Sequence, residues 1–390
     1  MDVCIHPHLL SGAVTPPDSK SMAHRAVLAM ALAHGEGQLH LHSDSQDIQA
    51  TRRCVAALRA ATDGELPLLD CGESGSTLRF LIPIALAVAG GGVFTGHGRL
   101  MERPQQPYFD ICNAQGITHT LHGGTLTLRG RLAPGKFSLP GNVSSQFVTG
   151  LLYALPLLDG DSEIHMTSPL ESRGYVDMTL EMLKAFGVTV ENRNYETFSV
   201  PGPQTYRARE ITVEADWSQA GFWYAAAFLD NPVQPMGLNP ASAQGDKVIS
   251  QLYWQLARPG DTAVDVSGCP DLLPPLAVMA TVRSGSTRFI NAARLRMKES
   301  DRLSTTAALL RTLGAAVQEE GPDFLTVEGT AALSGGTVDG ANDHRIVMAA
   351  AIAATRASGP VTILGAEAVQ KSYPTFWEDY RHLGGVVDVL

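Results

Sequence analysis

Residues 217–229 read WSQAGFWYAAAFL, and this stretch sets how the rest of the chain is read. After Ser218 and Gln219 every position is apolar or small. At 3.6 residues per turn such a segment has no face to offer to water, so it predicts a helix buried on all sides. Five more stretches share the character: SMAHRAVLAMALAHG from Ser21, SGSTLRFLIPIALAVAG from Ser74, SSQFVTGLLYALPLL from Ser144, PDLLPPLAVMATV from Pro270 and DHRIVMAAAIAATRA from Asp343. Each starts on a polar group, often Ser or Asp, suited to capping a helix N-terminus.

A second series alternates with the first. SQDIQATRRCVAALRA, ERPQQPYFDICNAQG, ESRGYVDMTLEMLKAFG, QGDKVISQLYWQLA, KESDRLSTTAALLRTLG and KSYPTFWEDYRHLGG are amphipathic, and several end near glycine. Short β-like runs lie between them: GTLTLRG, SEIHMT, EITVEA, STRFINA, FLTVEG and PVTILGA. The chain therefore reads as six units of one buried helix, one amphipathic helix and connecting strands. These units are too long for a solenoid repeat, and three per half predict two similar α/β domains with a crossover at VEADWSQAG, residues 213–221. The segment Asn231–Gly268 is short for its unit. Buried helices packed in parallel would bring their N-termini out together, and convergent N-termini favour an anion.

The totals narrow the class. A chain of 390 residues with 44% hydrophobic and 17% charged residues is globular and large enough for two or three cores. A net charge of -10 argues against a general nucleic-acid binder. Five scattered cysteines without a CxxC predict free thiols in a reducing cytoplasm. The start MDVCIHPHLL predicts no signal peptide. FLIPIALAVAGGGVF, from Phe80, is too short and glycine-broken to span a bilayer. No P-loop, HExxH, Cys/His cluster or GxSxG is present.

Polar residues gather at the helix starts. SKSMAHR supplies Lys20, Ser21 and Arg25; ESGSTLR supplies Gly75, Ser76 and Arg79; ERP supplies Arg103. SSQF adds Ser144, Ser145 and Gln146, and ESRGY adds Ser172 and Tyr175. The second half brings Asp271, Lys298, Glu299, Arg302, His344, Arg345 and Lys371. In RLRMKESDRL, residues 294–303, helical spacing puts Arg294, Lys298 and Arg302 on one face, where like charges repel. Singly, each residue has a plainer role as an N-cap, a surface ion pair or a structural histidine. Together they place many cations beside very few carboxylates, and burial of so many cations demands anionic partners. A ligand with two phosphates and a carboxylate meets that demand, with Arg suited to bidentate capture and Lys able to donate a proton.

SKSMAHR, SGSTLR, ERP, SSQF, KESDRL, NDHR and KSYP, in this order, resemble the 5-enolpyruvylshikimate-3-phosphate synthase family from about residue 11 to the C-terminus. The resemblance implies an α/β fold of two domains, an inverse α/β-prism with three βαβαββ-like units per domain and the active site in the interdomain cleft. The implied domains are 13–215 and 1–12 plus 216–390, with crossovers near 11–20 and 213–221. The implied reaction moves the enolpyruvyl group of phosphoenolpyruvate to the 5-hydroxyl of shikimate 3-phosphate, with no metal or organic cofactor. Carried over by motif, Ser21, Arg25, Ser144, Ser145, Ser172, Tyr175, Asp271 and Lys298 hold shikimate 3-phosphate. Lys20, Gly75, Arg103, Gln146, Arg302, His344, Arg345 and Lys371 surround phosphoenolpyruvate. Asp271 takes the 5-hydroxyl proton, Glu299 handles the methylene proton, and Lys20 and Lys371 serve as catalytic cations. The resemblance further implies a cytoplasmic monomer acting in the shikimate pathway, without nucleic-acid or membrane partners.

Some positions depart from the family pattern. PPDSKS stands in place of PGSKS, Glu73 and Arg294 stand where asparagine is usual, and Phe80 replaces a common proline. Gly75 is the glycine whose replacement by alanine accompanies glyphosate tolerance in the family, so its presence implies sensitivity. UDP-N-acetylglucosamine enolpyruvyl transferase is the nearest rival, but GGGVFTGHGRLMERP lacks that enzyme's loop cysteine. A non-catalytic anion-binding protein would gain nothing from both Asp271 and Glu299.

Overall fold

The computed structural model describes residues 1–62, 64–330 and 332–390. The chain divides into two compact units. Lys20–Val213 forms a continuous unit, and Met1–Ser19 with Glu214–Leu390 forms a split unit.

The continuous unit carries helices α1 (Lys20–Leu32), α2 (Gln46–Ala60), α3 (Gly75–Val88), α4 (Gln106–Ala114), α5 (Ser145–Ala154) and α6 (Arg173–Ala185). Strand Leu68–Asp70 runs through α3 into the parallel strand Gly91–Thr95. After α4, the hairpin Thr118–His122/Thr125–Arg129 returns antiparallel, so the later strand of the hairpin sits inside the sheet. The next repeat has the same order. Lys136–Leu139, α5, Ser162–Met166 and α6 lead to the hairpin Glu191–Arg193/Thr197–Val200. Parallel neighbours need a long crossover, and the helices supply it. The third sheet is reduced to Leu39–His40 beside Ile211–Thr212.

The split unit repeats the plan with α7 (Trp217–Phe228), α8 (Ile249–Leu256), α9 (Leu273–Ala280), α10 (Arg302–Thr312), α11 (His344–Ala354) and α12 (Phe376–His382). One sheet orders Thr262–Asp265, Ser286–Ile290, Phe324–Glu328 and Val317–Glu320. In the other, Val3–His6 enters between Val361–Leu364 and Val386–Val389, so the N-terminal segment completes the last repeat. The third sheet is again short, pairing Gly12–Val14 with Val233–Pro235.

The all-apolar helices sit where their composition predicts. Every residue of α11 is buried, as is α3 from Gly75 to Leu86 except for Ser76. Their polar starts act as caps: Ser74 accepts from the Thr77 N–H, Ser144 from Gln146, Asp216 from Gln219 and Asp343 from Arg345. One small residue permits the close α3–α5 packing. A Cβ on Gly150 would lie 2.5 Å from the Arg79 carbonyl oxygen, inside any tolerable contact.

Two expectations need correction. The unit border lies at residue 20 rather than 13, because Gly12–Val14 pairs with Val233–Pro235 and Asp18 bridges Ala215, which holds 13–19 and 214–215 in the split unit. RLRMKESDRL is not one helix. Ala293–Met297 form a 3-10 turn, Lys298 is extended, and α10 begins at Arg302 behind the Asp301 cap, which accepts from the Ser304 N–H. Arg294, Lys298 and Arg302 therefore share no helical face. Local capping by Asp301 competes with helix propagation through the preceding residues.

Candidate active site

In the continuous unit, side chains at the helix starts lace the elements together. Arg25 of α1 is 2% exposed and donates from Nε to Thr179 Oγ1 at 2.9 Å and from its terminal nitrogens to the Ser21 and Tyr175 carbonyls, each at 2.7 Å. The Phe80 ring lies 5.3 Å from the Arg25 guanidinium carbon. Burial pushes the Arg25 pKa down to about 10, which still leaves the group cationic at neutral pH. Arg79 is driven to about 9 by burial and then by the Arg103 charge. It donates to Gln146 Oε1 at 2.9 Å and to the Pro104 carbonyl at 3.0 Å. Gln146 Nε2 in turn donates to Ser76 Oγ at 3.0 Å. This bond pair fixes the Gln146 amide with its oxygen toward the arginine and its NH2 toward α3.

Gly75 opens α3 directly beneath Arg103. A Cβ there would lie 2.7 Å from the Arg103 guanidinium carbon, so any side chain at this position must push the arginine's end off that helix start. Lys20 opens α1 and donates to Asp47 Oδ2 at 2.8 Å. Ser144 and Ser145 open α5, and Ser145 is buried. Ser172 precedes α6 in the left-handed conformation, φ 54° and ψ 47°. A non-glycine residue pays a conformational cost there, and such strain gathers at binding sites. Tyr175 follows one turn later, with its N–H on the Ser172 carbonyl at 3.1 Å.

In the split unit, six residues singled out by sequence fall into one bonded cluster. Asp271, just ahead of α9, receives Lys298 Nζ at 3.3 Å and Arg302 at 2.8 Å on Oδ1, and Arg345 at 3.1 Å on Oδ2. Glu299 Oε2 is 2.8 Å from His344 Nδ1, and its other oxygen is 3.9 Å from Arg302. Arg302 is 2% exposed. Burial alone would lower its pKa, but Asp343, Asp271 and Glu299 together raise it. Lys371, 4% exposed, donates to the Asn342 carbonyl at 2.6 Å. That carbonyl is presented by a turn in which both Ala341 and Asn342 have positive φ. Arg294 donates to the Ser267 carbonyl at 2.6 Å.

Three further residues belong to these sets and were not singled out as site residues from sequence. Asp343 is fully buried and accepts from Arg302 Nε at 3.0 Å, from Arg302 NH2 at 3.2 Å and from Ser300 Oγ at 3.0 Å. Burial would raise its pKa, yet the Arg302 charge holds it below the usual carboxylate value. Asp246 is 4% exposed, and burial, followed by the Asp271 charge, pushes it up to about 7. Asp47 is the Lys20 partner. The acid inside NDHR stands out in the sequence only as part of a motif, and QGDK reads in isolation as an ordinary solvated turn. Glu299, Asp343 and His344 offer ligand atoms within 4.8 Å of one another. The Arg302 guanidinium bonds Asp343 there and lies 3.9 Å from Glu299.

The sequence model for EPSP synthase (3-phosphoshikimate 1-carboxyvinyltransferase) matches residues 6–380. The chain belongs to the EPSP synthase family. It is 44% identical to the 3-phosphoshikimate 1-carboxyvinyltransferase of Clostridium acetobutylicum, over 99% of this chain and 98% of that protein. With the Clostridium kluyveri protein of the same description it shares 42% identity at the same coverage. The EPSP synthase structure from Acinetobacter baumannii superposes with a TM-score of 0.79 and 24% identity, covering both chains completely, which is a likeness of fold. Both bonded clusters lie within the residues matched to the EPSP synthase family.

Proposed function

We infer that the chain catalyses the reaction of its family and that the two polar clusters supply the groups. The reaction transfers the enolpyruvyl unit of phosphoenolpyruvate to the 5-hydroxyl of shikimate 3-phosphate and releases inorganic phosphate. The 5-oxygen adds to C2 of phosphoenolpyruvate while C3 gains a proton. The tetrahedral intermediate then loses that methyl proton and phosphate to give the enol ether. The observation that carries the residue assignment is the convergence of Lys298, Arg302 and Arg345 on Asp271, with the Glu299–His344 pair alongside.

Asp271 is the base for the 5-hydroxyl: it stands beside Lys298, Arg302 and Arg345 and remains reachable at 17% side-chain exposure. Glu299, bonded to His344, carries the C3 proton in both directions. Arg302, Arg345 and Lys371 exchange protein acceptors for the carboxylate and phosphate of phosphoenolpyruvate, joined by Lys20, Arg103 and the Gln146 amide. Ser21, Arg25, Ser144, Ser145, Ser172, Tyr175 and Lys298 hold shikimate 3-phosphate. Cations aimed at the departing phosphate stabilise charge that grows in the transition state, the largest lever available to such a site.

A monomeric, cytoplasmic enzyme is the reading we adopt, supported by five cysteines that are all free. Among the described residues no helix is long and apolar enough to cross a membrane. The test is phosphate release from purified protein supplied with both substrates, with UDP-N-acetylglucosamine as the competing acceptor. Release only with the latter would replace this reading by that of the related transferase.

A further inference from the structure

We propose that Asp47 is a positioning residue for the transfer reaction, fixing the Lys20 ammonium against the starts of α1, α2 and α3 before phosphoenolpyruvate arrives. The proposal rests on the reading of Lys20 as a phosphoenolpyruvate-site cation. Asp47 lies in the first turn of α2, where the helix N-terminus favours a carboxylate. Its Oδ2 accepts from Lys20 Nζ at 2.8 Å, and the two side chains are only 10% and 15% exposed. A pair so withdrawn from water is screened far less than a surface ion pair.

The backbone beneath that carboxylate is held from both sides. The Asp47 carbonyl oxygen lies 3.3 Å from Thr51 Oγ1 and 3.4 Å from Thr77 Oγ1, within reach of either hydroxyl hydrogen. The Thr51 and Thr77 hydroxyls are 2.7 Å apart, and Thr77 Oγ1 is 2.8 Å from Ser74 Oγ, so the three share their hydrogens in one network. Ser74 caps α3 and immediately precedes Gly75. On the other side, Thr51 Oγ1 is 2.7 Å from His24 Nδ1, one turn along α1 from Lys20. His24 is fully buried, and burial, followed by the Lys20 and Arg25 charges, presses its pKa well below the ordinary value. The ring is therefore neutral and does not compete with Lys20 for the carboxylate. Through this chain, the position of Asp47 is set by the same helix start that presents Gly75.

Lysine has a flexible four-carbon stem, so an ammonium without a fixed partner samples many rotamers. Anchored on Asp47, it is in place when the phosphate arrives, and preorganisation of that kind lowers the barrier without reorganisation during the reaction. A misplaced group of this sort costs on the order of 100-fold in rate.

The experiment compares Asp47→Ala, Asp47→Asn, Lys20→Ala and the Asp47→Ala/Lys20→Ala double variant. The readouts are kcat/KM for phosphoenolpyruvate, shikimate 3-phosphate affinity by calorimetry, and Tm. The expected result is a loss of roughly 10- to 100-fold in kcat/KM for Asp47→Ala, with shikimate 3-phosphate affinity within about twofold of the parent. Asp47→Asn keeps an acceptor oxygen and recovers part of the loss. The double variant is no worse than Lys20→Ala alone, since the two residues act as one unit. If the two single losses multiply in the double variant, or if shikimate 3-phosphate affinity falls in step with kcat/KM, positioning through Lys20 is wrong. Should Asp47→Ala fail to fold, the Asp47→Asn/Lys20→Ala pair decides by the same non-additivity. If Lys20→Ala itself leaves kcat/KM intact, the underlying reading of Lys20 falls, a result distinct from failure of the Asp47 proposal.

Discussion

Asp246 and Asp271 show how much environment decides what a carboxyl does. Asp271 faces Lys298, Arg302 and Arg345, whereas Asp246 is buried and pushed up to about 7. For Asp246 the folded pKa lies above the ordinary aspartate value of 3.8. Between those two values the folded protein holds a proton that the unfolded chain has released. Stability therefore falls as pH rises from about 4 to about 7 and levels off above that. Asp246→Asn removes this slope, and denaturant melts at pH 5 and pH 8 will show the variant gaining relative to the parent at the higher pH. An unchanged pH slope would mean that Asp246 is ionised in the folded state. Glu299→Gln keeps shikimate 3-phosphate binding but lowers kcat by about 10²- to 10⁴-fold; near-parental turnover would remove Glu299 from proton transfer. Gly75→Ala sets a methyl against the Arg103 guanidinium and raises KM for phosphoenolpyruvate more than it affects shikimate 3-phosphate affinity, as paired titrations will show.

At the scale of elements, the buried helices were legible because an alanine-rich segment without a polar face has one stable place to go, and each cap was legible because Ser and Asp satisfy otherwise orphaned N–H groups. The strands were read less evenly. STRFINA and PVTILGA yield Ser286–Ile290 and Val361–Leu364, whereas EITVEA keeps only Ile211–Thr212, paired with the equally short Leu39–His40. The misreading of RLRMKESDRL has a similar cause: charge spacing cannot register that Asp301 restarts the helix at Arg302. That restart aims Arg302 at Asp343, a pair 2% and 0% exposed. Asp343→Ala leaves a buried guanidinium short of a partner and costs about 3–5 kcal/mol, measurable as a shift in the chemical-denaturation midpoint at unchanged slope. A loss under about 1 kcal/mol would show that Arg302 finds water instead.

At the scale of the whole molecule, the six-unit repeat could be read from the sequence because it is written in helix type, and the structure returns it as two units of three. The place of Val3–His6 was not visible at the level of pairing. A four-residue strand completing a sheet with residues some 360 positions away leaves no local periodicity. The site divides in the same way. Lys298 and Glu299 or His344 and Arg345 stand out in the sequence because contiguous motifs carry them; Asp47 and Asp246 acquire meaning only from long-range neighbours. The central claim is that this chain joins phosphoenolpyruvate to shikimate 3-phosphate through these two clusters. Phosphate release by the purified protein tests it most directly. Release is expected only when both substrates are present, in step with formation of the enolpyruvyl ether, and is abolished in an Asp271→Ala variant that still binds shikimate 3-phosphate. Phosphate release that needs no shikimate 3-phosphate, or that persists in Asp271→Ala at the parental rate, would contradict it.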